Sequence, residues 1–307
     1  MKEKNWTRRD FVTSVAIAGA ISAIESSPAQ THRKSRAVVA PEESRYVAVN
    51  DVTWKTLGTD ENDSMPIGNG DLAANVWTEQ NGDLVLLVAK SDAWSEHGEL
   101  VKLGRVRLHI TPNPFVGATD FRQTLRLEDG SVEVSAGGST LRVWVDANRP
   151  VLHVEASLAQ PALLRAQLEL WRGTHPYNVP STEKSGLPEF GNQALPVDFA
   201  ADTVLPPGHK RVEWYHFNEQ SVYSLILAQQ HLESLISKYP DPLLHRCFGG
   251  VMKGPGLVQD GDRAVKSDGP VRTQRFDLVA LTMPQAASPE AWHGALSALD
   301  KEVGGVP

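Results

Sequence analysis

Alternating apolar and polar residues, interrupted by turn formers, recur between residues 50 and 285 and are the strongest constraint on the fold. In Arg105–Ile110 and in Leu164–Leu170 the apolar residues fall at every second position. This period of two gives a strand one buried face and one solvated face. The mostly apolar run Asp83–Ala89 is typical of a strand that is covered on both faces. Further strands are predicted at Val151–Ala156, Val212–Phe217 and Phe276–Met283.

Glycine-containing turns connect several of these strands. Asn69-Gly70 stands between two apolar runs, which is a strong signal for a tight hairpin. A second turn at Glu79–Asp83 extends the hairpin to a three-stranded meander with Trp77 at its centre. Gly137-Gly138 predicts another hairpin. Frequent turns between short strands favour an all-β, mainly antiparallel sandwich over a βαβ protein, and we predict this domain over residues 46–286.

Two segments have helical patterns instead. Leucine and isoleucine recur with few turn formers across Val222–Tyr239, and Pro240 ends this predicted helix. A second helix begins with Ser288 as its N-cap and proline at its first position. Since it follows the finished sandwich pattern, residues 287–307 are predicted to begin a linker to another domain. Its apolar stripe consists of Trp292, Leu296 and Leu299.

Three stretches are predicted to lie outside the sandwich. Residues 1–29 have the features of a bacterial twin-arginine export signal, because Arg8-Arg9 precede an apolar run too short for a membrane span, and small residues suit cleavage after Ala29. The sequence therefore predicts a periplasmic or secreted protein. Residues 30–45 predict a disordered lead-in. The Pro- and Gly-containing stretch between Trp171 and Pro207 predicts a long loop.

Composition argues against several function classes. A formal net charge of −7, without a basic patch interleaved with aromatics, argues against a nucleic-acid partner. The single cysteine, Cys247, cannot form an internal disulfide and is predicted to be a small core residue. Because the ten histidines are scattered and no nucleotide-binding motif occurs, we predict neither a metal nor a cofactor. His175 and His216 are interpreted as structural, and Thr59–Asp63 as an acidic loop.

The stretch Lys90–His97 contains the groups that a sugar site needs. It follows a predicted strand and includes Asp92, Trp94, Glu96 and His97. An aromatic ring can stack on the apolar face of a sugar, while carboxylates accept hydrogen bonds from its hydroxyls. The alternative is a solvated loop that caps the strand, with Trp94 packed in the core. Glycoside hydrolysis requires two carboxyl groups at a set separation, which sequence spacing leaves open for this stretch.

Several motifs resemble one family of carbohydrate-active proteins. The segments SMPIGNGDLAANVW (64–77) and DLVLLVAKSDAWSE (83–96) resemble the N-terminal β-domain of the α-L-fucosidase-like glycoside hydrolases of family 95. They are most similar to the module named domain of unknown function 5703. The resemblance extends from about residue 52 to residue 283. Further similar motifs are KLGRVRLHITPNPF (102–115), VEWYHFNEQSVY (212–223) and DPLLHRCFGGVMKG (241–254).

The resemblance implies a large β-supersandwich of the kind that precedes an (α/α)6 barrel. In such enzymes the catalytic acid and base lie mainly on the barrel, and the β-domain can contribute a loop to the sugar pocket. No positions of this chain match those carboxylates, and Lys90–Trp94 departs from the fucosidase motif, so the catalytic residues and the sugar are left unassigned. The predicted sugar-facing rim consists of Asp92, Trp94, Glu96 and His97, with Asn69, Asp71 and Trp77 nearby.

Three functional hypotheses follow. The first is the sandwich portion of an exported bacterial glycoside hydrolase, whose main catalytic carboxylates lie on a separate helical domain. The second is a non-catalytic carbohydrate-binding or structural module. The third is hydrolysis by Asp92 and Glu96 themselves. The C-terminal helix separates the first two, because an apolar stripe that remains exposed indicates a missing partner.

Overall fold

Antiparallel strands are the main secondary structure of the described residues, which confirms the predicted all-β fold class. The computed structural model describes residues 47–172, 197, 200–207 and 210–304. The predicted export signal and lead-in, and most of the predicted 171–207 loop, lie outside these residues. The strands are β1 (Val52–Trp54), β2 (Met65–Gly68), β3 (Leu72–Thr78), β4 (Leu84–Trp94), β5 (Leu100–Thr111), β6 (Arg122–Arg126), β7 (Ser131–Ala136), β8 (Ser139–Val145), β9 (Val151–Glu169), β10 (Thr203–Val204), β11 (Arg211–Phe217), β12 (Cys247–Lys253), β13 (Leu257–Gln259), β14 (Ala264–Ser267) and β15 (Val271–Met283).

Helices are few in the described part of the chain. They are α1 (Tyr223–Gln229) and α2 (Pro289–Gly304), with single 3-10 turns at Glu61–Asp63 and Glu233–Leu235. Neither α-helix in this part is long and apolar enough to cross a membrane.

The strands form two sheets that share β9. The first sheet has the order β1-β6-β7-β8-β9-β15-β12-β11-β10, and the second has the order β2-β3-β4-β5-β9-β14-β13. Apolar side chains from both sheets meet in one core cluster, to which Leu86 and Val106 contribute from the second sheet and Leu152 and Leu278 from the first. The alternation in the sequence thus corresponds to one face per strand that is removed from water. Cys247 is fully buried, as predicted.

The long strand β9 corrects one prediction. The separate strands predicted at Val151–Ala156 and Leu164–Leu170 correspond to one strand of 19 residues, which ends at Glu169. Its first half pairs with β8 and β15, and its second half pairs with β5 and β14. The register with β15 shifts between the pairs Thr273–Ser157 and Val271–Ala162. Pro161, which has no amide donor, lies in this irregular part, where the strand passes from one sheet to the other.

The predicted hairpins are confirmed. Gly137 and Gly138, with φ of 55° and 77°, connect β7 to β8. Gly70, with φ of 92°, lies in the turn between β2 and β3, and β4 completes the three-stranded meander. Positive φ at these positions favours glycine, which has no Cβ to clash with the backbone.

The helix predicted over Val222–Tyr239 is shorter than expected. It ends at Gln229, and His231 follows with a φ of 57°. No residue of α1 is buried. Because short helices depend on tertiary packing for their stability, the unburied leucines of this segment do not extend the helix to Pro240.

The C-terminal helix α2 packs on the outer face of the first sheet. Trp292 and Leu296 are buried there against a cluster that includes Val151, Val251 and Val279. The Trp292 indole donates a hydrogen bond to the Leu281 carbonyl at 3.1 Å. The apolar stripe of α2 is therefore covered by this chain's own sheet. The linker role of residues 287–307 stays a prediction.

Candidate functional site

Two of the predicted site residues, Asp71 and Asp92, meet at Lys90, and a third, Trp94, follows Asp92 on the same strand. Asp71 precedes β3, and the amide of Ser91 donates to its carbonyl at 2.9 Å. Asp92 lies on β4. The side chain of Arg246, the residue before β12, donates a hydrogen bond to the Asp92 carbonyl at 2.8 Å. Trp94 ends β4 on the same face as Asp92. The structure thus brings Asp71 and Asp92 together through Lys90, and Trp94 lies two residues beyond Asp92 at the end of β4, a group called the Trp94 rim below.

Lys90 organises the carboxylates of this rim. Its ammonium lies 2.6 Å from Asp71 Oδ1 and 2.9 Å from Asp92 Oδ1. The lysine side chain is buried, whereas both carboxylates are about half exposed. One positive charge therefore holds two carboxylates in place and leaves part of each free for solvent or a ligand.

Trp94 lies at the surface and not in the core. Its exposed fraction is 38%, and the Asn218 side-chain amide donates to its backbone carbonyl at 3.0 Å. The pairing of β4 with β5 shifts between Ala89 and Trp94, so the end of β4 leaves the regular ladder. Such irregularities change the direction in which side chains point and recur next to functional sites. The exposed indole thus lies at the irregular end of β4, two residues from Asp92 in sequence.

Asn69 has a structural role in the turn. Its Oδ1 accepts hydrogen bonds from the amides of Asp71 and Leu72, both at 2.9 Å. Its Nδ2 donates to the carbonyls of Asp146 and Arg149 at 2.8 and 3.0 Å. The side chain therefore joins the β2–β3 turn to the β8–β9 turn, which closes this end of the sandwich.

Trp77 is not brought to the rim. It lies six residues along β3 from Asp71, which is about 20 Å at the usual rise of a strand. Its ring is buried in a small cluster with Val85, Leu87 and Trp171. A sugar at the Trp94 rim is therefore beyond the reach of Trp77.

Glu96 and His97 point inward. His97 Nε2 contacts the Val197 carbonyl. The Glu96 side chain is almost fully buried, accepts a hydrogen bond from the Ala200 amide, and lies 3.0 Å from His216 Nε2. The predicted rim is thus divided, with Asp92 and Trp94 facing outward and Glu96 and His97 facing inward.

A buried network of four charged groups lies behind the rim. The other ring nitrogen of His216, Nδ1, is 3.2 Å from Asp202 Oδ1, which is 2.7 Å from Arg172 Nε. Arg172 also donates to the Lys102 carbonyl. The His216 ring stacks on Phe248, with 5.0 Å between centroids. The network therefore joins the ends of β4, β9 and β11 with the segment before β10.

The contacts of His216 favour its protonated form. Both of its ring nitrogens face carboxylate oxygens, and a protonated ring can donate to both. Burial alone would lower the pKa of His216, but its hydrogen bonds with Asp202 and Glu96 raise it above the ordinary value. Burial opposes ionisation of Glu96 and Asp202 too, yet His216 and, for Asp202, the charge of Arg172 hold each carboxyl pKa below its usual range. With His216 protonated, the network has two positive and two negative charges, which balance.

Comparison with known proteins decides the family. The family model described as "Domain of unknown function (DUF5703)" matches residues 53–305. The chain belongs to this family. The match confirms the predicted resemblance to that module and includes α2, whereas kinship with glycoside hydrolase family 95 stays a hypothesis.

The similarity of this DUF5703 domain to curated proteins and to a solved structure is absent or low. No curated protein matches the chain. A solved protein described as "Putative kojibiose phosphorylase from human microbiome" is similar in structure, with a TM-score of 0.37 and 8% sequence identity. The similar region covers 82% of this chain and 35% of that protein. The chain therefore spans about a third of the length of that protein.

Sequence reasoning missed two members of the buried network in this DUF5703 domain. Arg172 and Asp202 stand 30 positions apart, on either side of the stretch 173–199, and no local motif connects them. One signal was present for His216, since it alternates with Val212 and Trp214 on the buried face of β11. A polar residue on such a face needs a buried partner.

The network predicts a limited pH range for its contribution to stability. The lowered pKa values of Glu96 and Asp202 mean that their contribution is present above the usual carboxyl pKa of about 4 and is lost as pH falls through the folded-state values. The raised pKa of His216 means that its contribution is full below about pH 6.5 and is lost as pH rises through the folded-state value.

We expect the free energy of unfolding contributed by this network to be largest between about pH 4.5 and 6.5. Denaturant unfolding of the wild type and of His216→Ala across pH 3 to 10 measures it as the difference between the two proteins. That difference should shrink on both sides of the range. A difference that stays constant up to pH 10 would contradict an imidazolium at this position.

Proposed function

We propose that the DUF5703 domain contacts carbohydrate through the Trp94 rim and does not itself hydrolyse it. The observation that supports this is an exposed indole two residues along β4 from Asp92, which is one of two carboxylates that one buried lysine holds in place. An indole supplies the flat apolar surface that packs on a sugar ring, and the carboxylates accept hydrogen bonds from hydroxyls. The rim residues in this proposal are Trp94, Asp71 and Asp92.

Geometry argues against catalysis by Asp92 and Glu96. Glycoside hydrolysis needs a protonated acid and a second carboxylate on opposite sides of the scissile bond. Glu96 is buried, ion-paired with His216 and held ionised by a lowered pKa, so it has neither access to a sugar nor a proton to donate. Asp92 is already paired with Lys90. The covered apolar stripe of α2 supports the non-catalytic module by the criterion stated for this helix, and a separate helical domain that supplies catalytic carboxylates stays a hypothesis.

Export is part of the same proposal. The ordered succession of Arg8-Arg9, an apolar run and a cleavage site after Ala29 supports a periplasmic or secreted location. Glycans of plant or host origin would be accessible there.

We expect Trp94→Ala to reduce carbohydrate affinity about fivefold or more, because a stacked aromatic contact contributes about 1 kcal/mol. Isothermal titration of the protein from Gln30 onward against a panel of oligosaccharides identifies a ligand and measures the loss. Aryl glycosides of the same sugars, including the α-L-fucoside, test for hydrolysis. We expect no turnover above that of the reaction without protein.

Trp54→Ala is the matched control. Trp54 is 41% exposed, close to the 38% of Trp94, but it lies on the edge strand β1. Its removal should leave affinity unchanged. Equal losses in both variants, or unchanged binding in Trp94→Ala, would overturn the rim assignment, and turnover that Asp92→Asn abolishes would overturn the non-catalytic role.

A further inference from the structure

The end of β4 that contains Asp92 and Trp94 has few regular strand partners. The pairing of β4 with β3 ends at Lys90. On the other side, β4 advances by five residues from Ala89 to Trp94, while its partner β5 advances by two. Residues 91–93 are therefore outside the register of both ladders. Backbone carbonyls that leave a ladder need other hydrogen-bond donors where water is excluded.

Asn218 binds the carbonyl of Trp94. This asparagine follows β11 and is fully buried. Its Nδ2 donates hydrogen bonds to the Trp94 carbonyl at 3.0 Å and to the Leu243 carbonyl at 2.9 Å. Its Oδ1 has no donor among the described residues, so the two bonds from Nδ2 determine how this amide is held. Asn218 thereby joins the end of β4 to the loop formed by residues 241–246.

Arg246 binds the carbonyl of Asp92 from the same loop. One of its terminal nitrogens donates to the Asp92 carbonyl at 2.8 Å. Its Nε and its other terminal nitrogen donate to the Pro242 carbonyl at 3.1 and 2.9 Å. Because a guanidinium is planar and rigid, these donors have fixed directions relative to one another. The arginine side chain therefore sets the distance between the loop and the backbone at Asp92.

The loop 241–246 is itself fixed to the rest of the domain. Asp241 Oδ1 accepts hydrogen bonds from the amides of Leu243 and Leu244, at 2.8 and 3.0 Å. The side-chain amide of Gln285, which lies between β15 and α2, donates to the Asp241 carbonyl at 2.9 Å. The loop therefore has bonds that do not depend on β4, and it supports the strand end from outside.

Three of the sequence motifs meet at this strand end. Asn218 lies in the motif VEWYHFNEQSVY and Arg246 in the motif DPLLHRCFGGVMKG, whereas the strand end belongs to DLVLLVAKSDAWSE. The two hydrogen-bonded connections join residues that are 124 and 154 positions apart. These contacts give one physical role to polar residues of separate motifs, which is to hold the backbone of the Trp94 rim.

We propose that Asn218 and Arg246 are positioning residues of the Trp94 rim. By holding the backbone at Trp94 and Asp92, they set the separation of the indole and the carboxylate that together contact the sugar. Both act through the backbone, because the hydrogen bonds that they donate end on carbonyls, and neither is assigned a contact with the sugar. This inference rests on the function proposed for the rim, but the position of the Trp94 indole is measurable without a sugar.

Fluorine NMR of the protein labelled with 5-fluorotryptophan reports the environment of the indole directly. The Trp94 resonance is the one that is absent from Trp94→Phe. Arg246→Lys keeps the charge but lacks the planar fork that bonds two carbonyls, so it should shift the Trp94 resonance. The resonances of the buried Trp214 and Trp292 should stay in place, whereas a general loss of structure would move all of them.

The same variant tests the connection to binding. Titration with maltotetraose, cellotetraose and xylotetraose measures the affinity of the wild type. Arg246→Lys should raise the Kd of whichever of these sugars binds roughly fivefold, a change that corresponds to the loss of about one hydrogen bond. If the wild type binds none of the three while the Trp94 resonance shifts in the variant, the positioning role is upheld and the sugar-binding role of the rim is contradicted.

Arg272→Lys is the matched control. Arg272 is exposed and donates to the Ala159 carbonyl in the irregular part of β9, so this variant should leave the Trp94 resonance and the Kd unchanged. Asn218→Ala removes the bond to the Trp94 carbonyl and should shift the same resonance as Arg246→Lys. Circular dichroism shows whether Asn218→Ala folds, and Arg246→Lys decides the test if it does not.

Three results would each overturn the proposal. The first is an unshifted Trp94 resonance in the folded variants. The second is an equal shift in the control Arg272→Lys. The third is a shifted resonance without any loss of affinity for a sugar that the wild type binds.

Discussion

His216→Ala is expected to lower the free energy of unfolding by about 3–5 kcal/mol, because it removes one partner of a buried charge network. Glu96 would lose its only positive neighbour among the described residues, while its carboxylate remains buried. Asp202 would keep Arg172 but lose the bond from the imidazolium. Guanidinium unfolding at pH 6, where the contribution of the network is full, measures this loss.

His109→Ala is the control for a histidine–carboxylate pair near the surface. His109 lies 2.9 Å from Asp83, and 39% of its side chain is exposed. Surface pairs contribute about 0–1 kcal/mol, so this variant should unfold almost like the wild type. Losses of similar size in the two variants would show that burial of the His216 network does not determine its contribution.

Trp292→Ala is expected to destabilise the domain by about 3–5 kcal/mol, the usual cost of replacing a fully buried tryptophan with alanine. The ring packs against Tyr215 at 5.6 Å between centroids and hydrogen-bonds the Leu281 carbonyl. The substitution removes these contacts and leaves a cavity between α2 and the first sheet. Thermal and denaturant unfolding measure the change, which should appear as a single cooperative transition.

Trp54→Ala serves as the matched control for size, since Trp54 is 41% exposed. It should lower the free energy of unfolding by less than about 1 kcal/mol. If Trp292→Ala were equally mild, or if α2 melted separately from the sheets, the helix would be a loosely attached segment and the packing described above would be wrong.

The strand pattern and the turns could be predicted because they depend on neighbouring residues. Alternation in Arg105–Ile110 determines which side chains face the core, and glycine at Gly137 and Gly138 allows the positive φ that the hairpin needs. The end of α1 at Gln229 could not be predicted, because its leucines are regularly spaced but find no surface that buries them. Local helix propensity alone does not extend a helix whose residues are not buried by tertiary packing.

Only part of the candidate site could be predicted. The octet Lys90–His97 directed attention to the end of β4, and its composition suggested a sugar site, which stays a prediction. The sequence did not show that Asp92 and Trp94 face outward while Glu96 and His97 face inward. The reason is that Glu96 pairs with His216, which lies 120 positions away. Trp77 is close in sequence to Asp71 yet distant in space, because an extended strand separates the two.

The sequence by itself determined the class of the fold, the hairpins and the family, because these follow from the periodicity of neighbouring residues and from contiguous motifs. Tertiary structure alone decided that β9 belongs to both sheets, that α2 covers the outer face, and that Arg172, Glu96, Asp202 and His216 share one buried network. The physical reason for the shared network is that a buried charge requires a partner of opposite charge. Which distant residue supplies it depends on how the sheets pack.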